Sequence, residues 1–283
     1  MEPVVTENET GFSFEDVVYH SPGGHDLLAR LYRPSSPGPW PAVVDVHGGR
    51  WCAEDRLTNA AIDEALAKAG IFVMAVDFRM PPLARYPVPV ADINFAIRWL
   101  NAHAQSLGVR QDWIGGIGTS SGGHQMMLNV LRPDDYTADH PADIAHSPAR
   151  INYAIFCWPV SDPPARYAYA RERNMEIHIK SHDAYWRDLD AMNEGSPQRI
   201  IADGKARHLP PAQMIQGAAD EILAPGMTDR FVAAWREAHG SMDYQIFPDQ
   251  PHTFITKKPD SPAAQEAIVR MIDFINQNTR RSE

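Results

Sequence analysis

Residues 115–124 read Gly-Gly-Ile-Gly-Thr-Ser-Ser-Gly-Gly-His, and within them lies one Gly-x-Ser-x-Gly centred on Ser120. An apolar run from Trp113 to Ile117 leads in, and a helically spaced run from His124 to Leu131 leads out. That is the strand–turn–helix setting of a nucleophile elbow. In so sharp a turn the residues two before and two after the serine must be small. Glycine at 118 and 122 lets the strand and helix backbones approach closely. A serine held there projects its hydroxyl above the edge of a sheet. The competing reading is a glycine-rich loop in which Ser120 or Ser121 is an ordinary helix N-cap.

Working outward, the segments on both sides alternate. Phe12 to Ser21 and Asp26 to Tyr32 read as a hairpin around Ser21-Pro22-Gly23-Gly24. Ala42 to Val46, broken only by Asp45, and Ile71 to Val76 read as buried strands. Asn59 to Lys68 and Pro89 to Ala104 show helical spacing, the first stopped by Gly70. Beyond the elbow come strands at Ile151 to Trp158, around Met214-Ile215 and at Met242 to Phe247, with helices near Gly226 to His239 and Pro262 to Asn276. Strands apolar on both faces that alternate with helices predict an α/β fold, a mostly parallel sheet covered on both sides. Ser161 to Leu209 breaks the rhythm. It is polar and mixed in charge yet carries Tyr167, Tyr169, Tyr185 and Trp186. A structureless loop of that length is unusual, so residues 161–209 are expected to fold as a small helical cap inside one domain spanning 1–283.

The chain has 283 residues, 44% of them hydrophobic, enough for a sizeable core. Its net charge of −10, with no basic cluster except Arg280-Arg281, argues against a nucleic-acid partner. Two cysteines, Cys52 and Cys157, make no disulfide framework and read as apolar filler. The first residues have neither a basic nor an apolar signal-peptide region, and no run approaches 18 apolar residues. A cytoplasmic protein without a membrane span is the expectation.

Three further stretches carry chemistry. His47-Gly48-Gly49-Arg50-Trp51 directly follows the Ala42–Val46 strand. Acyl transfer develops negative charge on an oxygen, and one backbone N–H aimed at it is worth about 3 kcal/mol. The amides expected to do so are Gly49 and Arg50, joined by Ser121 at the start of the helix. His47 itself reads as a packing or turn-bracing residue. A serine hydroxyl also needs a base and a carboxylate behind it. His252, in the Pro248–Phe254 loop after the last strand, is the expected base. Asp220 is the first carboxylate beyond the Met214–Gly217 strand; its neighbour Glu221 and the later Asp249 are rivals. No His-Glu-x-x-His, His-x-His or paired Cys-x-x-Cys is present, so no metal is expected. Phosphate-loop and dinucleotide fingerprints are missing as well, and no cofactor is expected.

With these residues assembled, the chain resembles the α/β-hydrolase superfamily, in particular the HGGxW serine esterases around hormone-sensitive lipase, kynurenine formamidase and feruloyl esterases. The matching pieces are His47-Gly48-Gly49-x-Trp51, Val76-Asp77-Phe78-Arg79 with Tyr86-Pro87, Gly118 to Gly123, Gly217 with Asp220, and Pro251-His252. They run in the family's order from about residue 40 to 260. The resemblance implies an eight-stranded sheet, a Ser120–His252–Asp220 triad and cofactor-free hydrolysis through an acyl-enzyme. Arg50 stands where lipase-type members have a third glycine, and Pro251 where many have a small residue.

The function expected is cleavage of a small carboxylic ester. Trp51, Trp158, Tyr185 and Trp186 are the expected contacts to an apolar or aromatic part of the substrate. An amidase or formamidase, a lyase or acyltransferase using the same pocket, and a non-catalytic scaffold are the alternatives. The final helix and the Met242–Phe247 edge strand could support a homodimer.

Overall fold

The computed structural model describes residues 11–137 and 140–280. In chain order these form β1 (Phe12–His20), β2 (Leu27–Pro34), β3 (Trp40–Val46), α1 (Ala60–Lys68), β4 (Phe72–Val76), α2 (Val88–Leu107), β5 (Val109–Thr119) and α3 (Ser120–Leu131). Then follow α4 (Ala142–Ala145), β6 (Ala154–Cys157), α5 (Pro163–Glu172), α6 (Glu176–Tyr185), α7 (Leu189–Glu194), α8 (Pro197–Ala202) and β7 (Ala212–Gly217). The chain closes with α9 (Met227–Glu237), β8 (Met242–Phe247), α10 (Phe254–Lys257) and α11 (Pro262–Thr279).

The eight strands make one sheet in the order β1-β2-β4-β3-β5-β6-β7-β8. The β1–β2 and β2–β4 pairs are antiparallel; every other pair is parallel. Alternate side chains of a strand point to opposite faces, and both faces here are apolar. Ala42, Val44 and Val46 of β3 pack into one core with Ile93, Ile97 and Leu100 of α2. Val43 packs into the other with Ile62 and Leu66 of α1 and Met271 and Ile275 of α11. Parallel pairing gives β3, β5, β6, β7 and β8 a common C-terminal edge, where the loops of open α/β sheets gather.

Several element boundaries differ from the sequence expectation, among them two around the strand that leads into the elbow. β5 begins at Val109, because that residue pairs with Trp40 across an irregularity between Trp40 and Ala42. α3 begins at Ser120 itself, four residues before the helically spaced run at His124, so strand and helix meet with no loop between them. The stretch 161–209 holds four short helices, α5 to α8. Asp162, Ser196 and Asp188 cap three of them, each accepting an amide of the first turn.

Asp45, the one polar residue in the apolar run of β3, is buried and accepts from Asn59 Nδ2 at 3.0 and 2.9 Å. Burial pushes its carboxyl up to about 7, against the Asn59 bond. Burial and the Asp45 charge also raise the neighbouring Asp63 carboxyl. Asn59 in turn accepts from the hydroxyl of Thr119, the residue before the elbow serine, at 3.3 Å. A buried polar chain therefore runs beneath the elbow.

Candidate active site

The elbow's geometry explains its glycines. Thr119 is extended, at φ −108° and ψ 133°, and Ser120 turns to φ 52°. Left-handed backbone at a residue other than glycine costs about 1–3 kcal/mol and persists only where the surroundings over-determine it. A Cβ at Gly118 would lie 2.7 Å from the Gly122 carbonyl oxygen, and one at Gly122 would lie 2.2 Å from that of His47. Glycine at 118 lets β5 fold back on α3, and glycine at 122 lets α3 abut the loop after β3.

Ser120 Oγ stands 2.9 Å from His252 Nε2, and His252 Nδ1 stands 2.7 Å from Asp220 Oδ2. Three strand ends deliver these residues: β5 for the serine, β7 for the aspartate and β8 for the histidine. Gly217 brings the last two together, since a Cβ there would lie 2.2 Å from the Gln250 carbonyl oxygen. The Ala219 amide also donates to that carbonyl at 3.0 Å. Asp220 accepts three further bonds: Gln216 Nε2 on Oδ2 at 2.9 Å, and the Ile222 and Leu223 amides on Oδ1 at 2.8 and 3.2 Å. Burial pushes the carboxyl up, but the His252 and Gln216 bonds and the Ile222 amide outweigh it. It is held below the usual carboxylate range. The rivals Glu221 and Asp249 are exposed.

The loop after β3 turns with Gly49 at φ 99°, Arg50 at 58° and Trp51 at 64°. A side chain at Gly49 would strike the Ala53 carbonyl oxygen at 2.0 Å. Trp51 N–H donates to Ser121 Oγ at 3.0 Å, tying this loop to the first turn of α3. Among the described residues, the Gly49, Arg50 and Ser121 amides have no acceptor within the chain. They border the same cavity as Ser120. His47 braces the turn: its ring stacks on Phe78 at 4.5 Å, and its Nδ1–H donates to the Gly48 carbonyl at 2.8 Å.

A cavity of about 500 Å³ opens over Ser120. Its sheet-side wall includes Gly48 to Trp51 and His252, and the α5–α6 wall includes Arg166 and His178. The expected aromatic contacts divide. Trp51 borders the cavity, but Trp158, Tyr185 and Trp186 do not. Tyr185 stacks on Trp51 at 5.1 Å, and Trp186 packs edge-on to Trp51 and against Tyr86. Trp158 is wedged between His252 and Phe254. All three are buried. Tyr185 and Trp186 help to seat α5–α8 on the sheet side, while Trp158 packs on the loop that carries His252.

Sequence reasoning passed over the polar groups of that opposite wall. Arg166 is 3% exposed, and its Nε has no partner. Burial lowers its pKa to about 10, against the Asp220 charge. Burial, with the charges of Arg166 and Arg50, pushes the His178 imidazole down to about 4. Nothing in the run Ala165-Arg166-Tyr167-Ala168 selects this arginine over its exposed neighbours Arg171 and Arg173. Next to this wall, His124 accepts from Trp51 Nε1–H at 3.1 Å and donates to the Gly195 carbonyl at 2.8 Å, the pattern of a neutral ring. Among the described residues no group of side chains could hold a metal ion, and no helix is long and apolar enough to cross a membrane.

Comparison with known proteins places the chain. The BD-FAE family model matches residues 30–234. Ethyl acetate hydrolase of Pseudomonas putida is 35% identical over 264 residues, which cover 90% of this chain and 80% of that one. Esterase LipC of Mycobacterium tuberculosis is 27% identical over 81% of this chain, which spans only 56% of LipC. Among solved structures, Thermogutta terrifontis esterase 2 phosphorylated by paraoxon superposes with a TM-score of 0.77 at 24% identity, covering 95% of this chain and 96% of that one. This likeness is one of fold. The chain belongs to the BD-FAE family of α/β-hydrolase esterases.

Proposed function

From that membership we propose that the chain hydrolyses carboxylic esters of small molecules, with Ser120 as nucleophile, His252 as general base and Asp220 as the carboxylate that orients it. The observation that carries the assignment is the continuous line of contacts from Ser120 Oγ through His252 to Asp220, at 2.9 and 2.7 Å. Asp220 accepts a hydrogen bond from Nδ1–H, so Nε2 is the basic nitrogen facing the hydroxyl. As Ser120 Oγ attacks the ester carbonyl, His252 takes its proton. The tetrahedral oxygen is held by the Gly49, Arg50 and Ser121 amides. When that intermediate collapses, the imidazolium protonates the leaving alcohol and an acyl-serine remains. Water, deprotonated by the same nitrogen, then releases the acid and regenerates Ser120.

Asp220 suits this role because four hydrogen bonds favour its anion, which stabilises the imidazolium. Trp51, Val160 and Ile222 give the cavity an apolar portion for the substrate's carbon skeleton. We read residues 161–209 as a cap on this cleft, since Arg166 and His178 come from it. The cytoplasm is the proposed compartment, where the free thiols Cys52 and Cys157 stay reduced.

Ser120→Ala is expected to lower kcat for p-nitrophenyl acetate by about 10⁶-fold. The wild type, treated with a fluorophosphonate, should carry one adduct on the peptide containing Ser120. Turnover retained in the variant, or an adduct elsewhere, would end this reading.

A further inference from the structure

We infer that the cleft selects esters bearing a second, ionised carboxylate, which Arg166 and Arg50 receive from opposite walls. This rests on the hydrolytic reading above and names its substrate class. Both guanidinium groups border the cavity that contains Ser120, and the Nε of each is buried without a partner. Among the described residues neither arginine is ion-paired, whereas Arg30, Arg56, Arg79, Arg98 and Arg132 all are. Asp220 is near enough for its charge to be felt at Arg166, but both its oxygens are occupied by His252, Gln216 and two amides.

The cavity lining holds three cations, Arg50, Arg166 and Lys257, against one carboxylate, Glu54. Glu54 is exposed and bonds the Thr58 hydroxyl at 3.5 Å. This cationic cleft sits in a chain of net charge −10. A buried, unpaired cation is costly to a fold. The cost is offset when a ligand supplies the counter-charge, and a guanidinium fork matches a carboxylate in two parallel bonds. A neutral ester would leave both arginines unmatched.

The carboxylate could sit on the acyl or on the alcohol side of the scissile bond, so two substrate pairs are needed. The first sets mono-4-nitrophenyl glutarate against 4-nitrophenyl butyrate; the second sets 4-acetoxybenzoate against phenyl acetate. The readout is the charged-to-neutral ratio of kcat/KM, in which any loss of folded enzyme cancels. In at least one pair the ratio should fall about 10- to 100-fold in Arg166→Met, the range expected for a charge-assisted hydrogen bond. Arg166→Lys, which keeps the charge, should regain part of it. Ratios unchanged within about threefold in both pairs would overturn the inference. Glutarate titrated by calorimetry gives a readout independent of turnover. The wild type should bind it at least tenfold more tightly than Arg166→Met; equal affinities, or no binding to the wild type, would also overturn it. If no ester were cleaved and Ser120 took no fluorophosphonate, the hydrolytic reading would fall, while the titration would still decide the carboxylate site.

Discussion

On the sheet side of the cleft Asp220 accepts four hydrogen bonds, His252 is bonded through both ring nitrogens, and Ser121 Oγ receives the Trp51 amide. On the side of α5 and α6, Arg166 Nε and His178 Nδ1 have no partner, and across the cavity Arg50 Nε has none either. Three strand ends and an elbow fix the first wall; short helices seated on stacked aromatic rings hold the second. The difference separates two tasks. Groups that act identically on every ester are preorganised, because reorganising them during reaction would raise the barrier. Groups that distinguish one ester from another keep their hydrogen-bonding capacity for the ligand.

The comparison breaks if the sheet-side wall tolerates change. Asp220→Asn keeps the shape but presents a neutral amide to His252 Nδ1, favouring the wrong tautomer. A loss of about 10⁴-fold in kcat is expected for every ester tested, charged or neutral. A loss confined to one substrate class would contradict the division of labour. Gly49→Ala places a methyl 2.0 Å from the Ala53 carbonyl oxygen at a left-handed φ, so the loop must shift. A fall of about 10²- to 10³-fold in kcat, with KM little altered, is expected from steady-state kinetics. A variant of wild-type kcat would remove the Gly49–Arg50 turn from the oxyanion site.

The smallest effect concerns pH and the opposite wall. Burial pushes the His124 imidazole down to about 4, and His178 and His182 are also depressed, to about 4 and about 2. At these rings the unfolded chain therefore binds more protons than the folded one between pH 6.5 and 4. The stability that their neutral forms contribute is present above pH 6.5 and is lost as pH falls toward 4. For His124 the contribution is about 3 kcal/mol at most. His124→Gln cannot take the proton, so its Tm should decline less steeply than that of the wild type over that window. Parallel Tm–pH curves would show that acid acts elsewhere.

How much of this was readable beforehand follows the same division. The elbow was legible because glycine at 118 and 122 answers a local steric demand that can be stated residue by residue. Asp220 could be preferred over Glu221 and Asp249 by strand-end position alone. For the aromatics of 161–209, sequence does not separate a ring that faces the cavity from one that supports Trp51, as Tyr185 and Trp186 do. Arg166 was missed altogether, since only its surroundings distinguish it from Arg171 and Arg173.

The order of residues by itself determined the alternation of strand and helix, the sheet covered on both faces and the sharp turn at Ser120, all of which follow from side-chain periodicity and backbone sterics over a few neighbouring positions. Only the tertiary structure decided which histidine and which carboxylate meet that serine, which aromatics are buried as support, and which two arginines remain unpaired over it. Distance, burial and charge compensation depend on segments far apart in the chain, and they take values only once the sheet has brought those segments together.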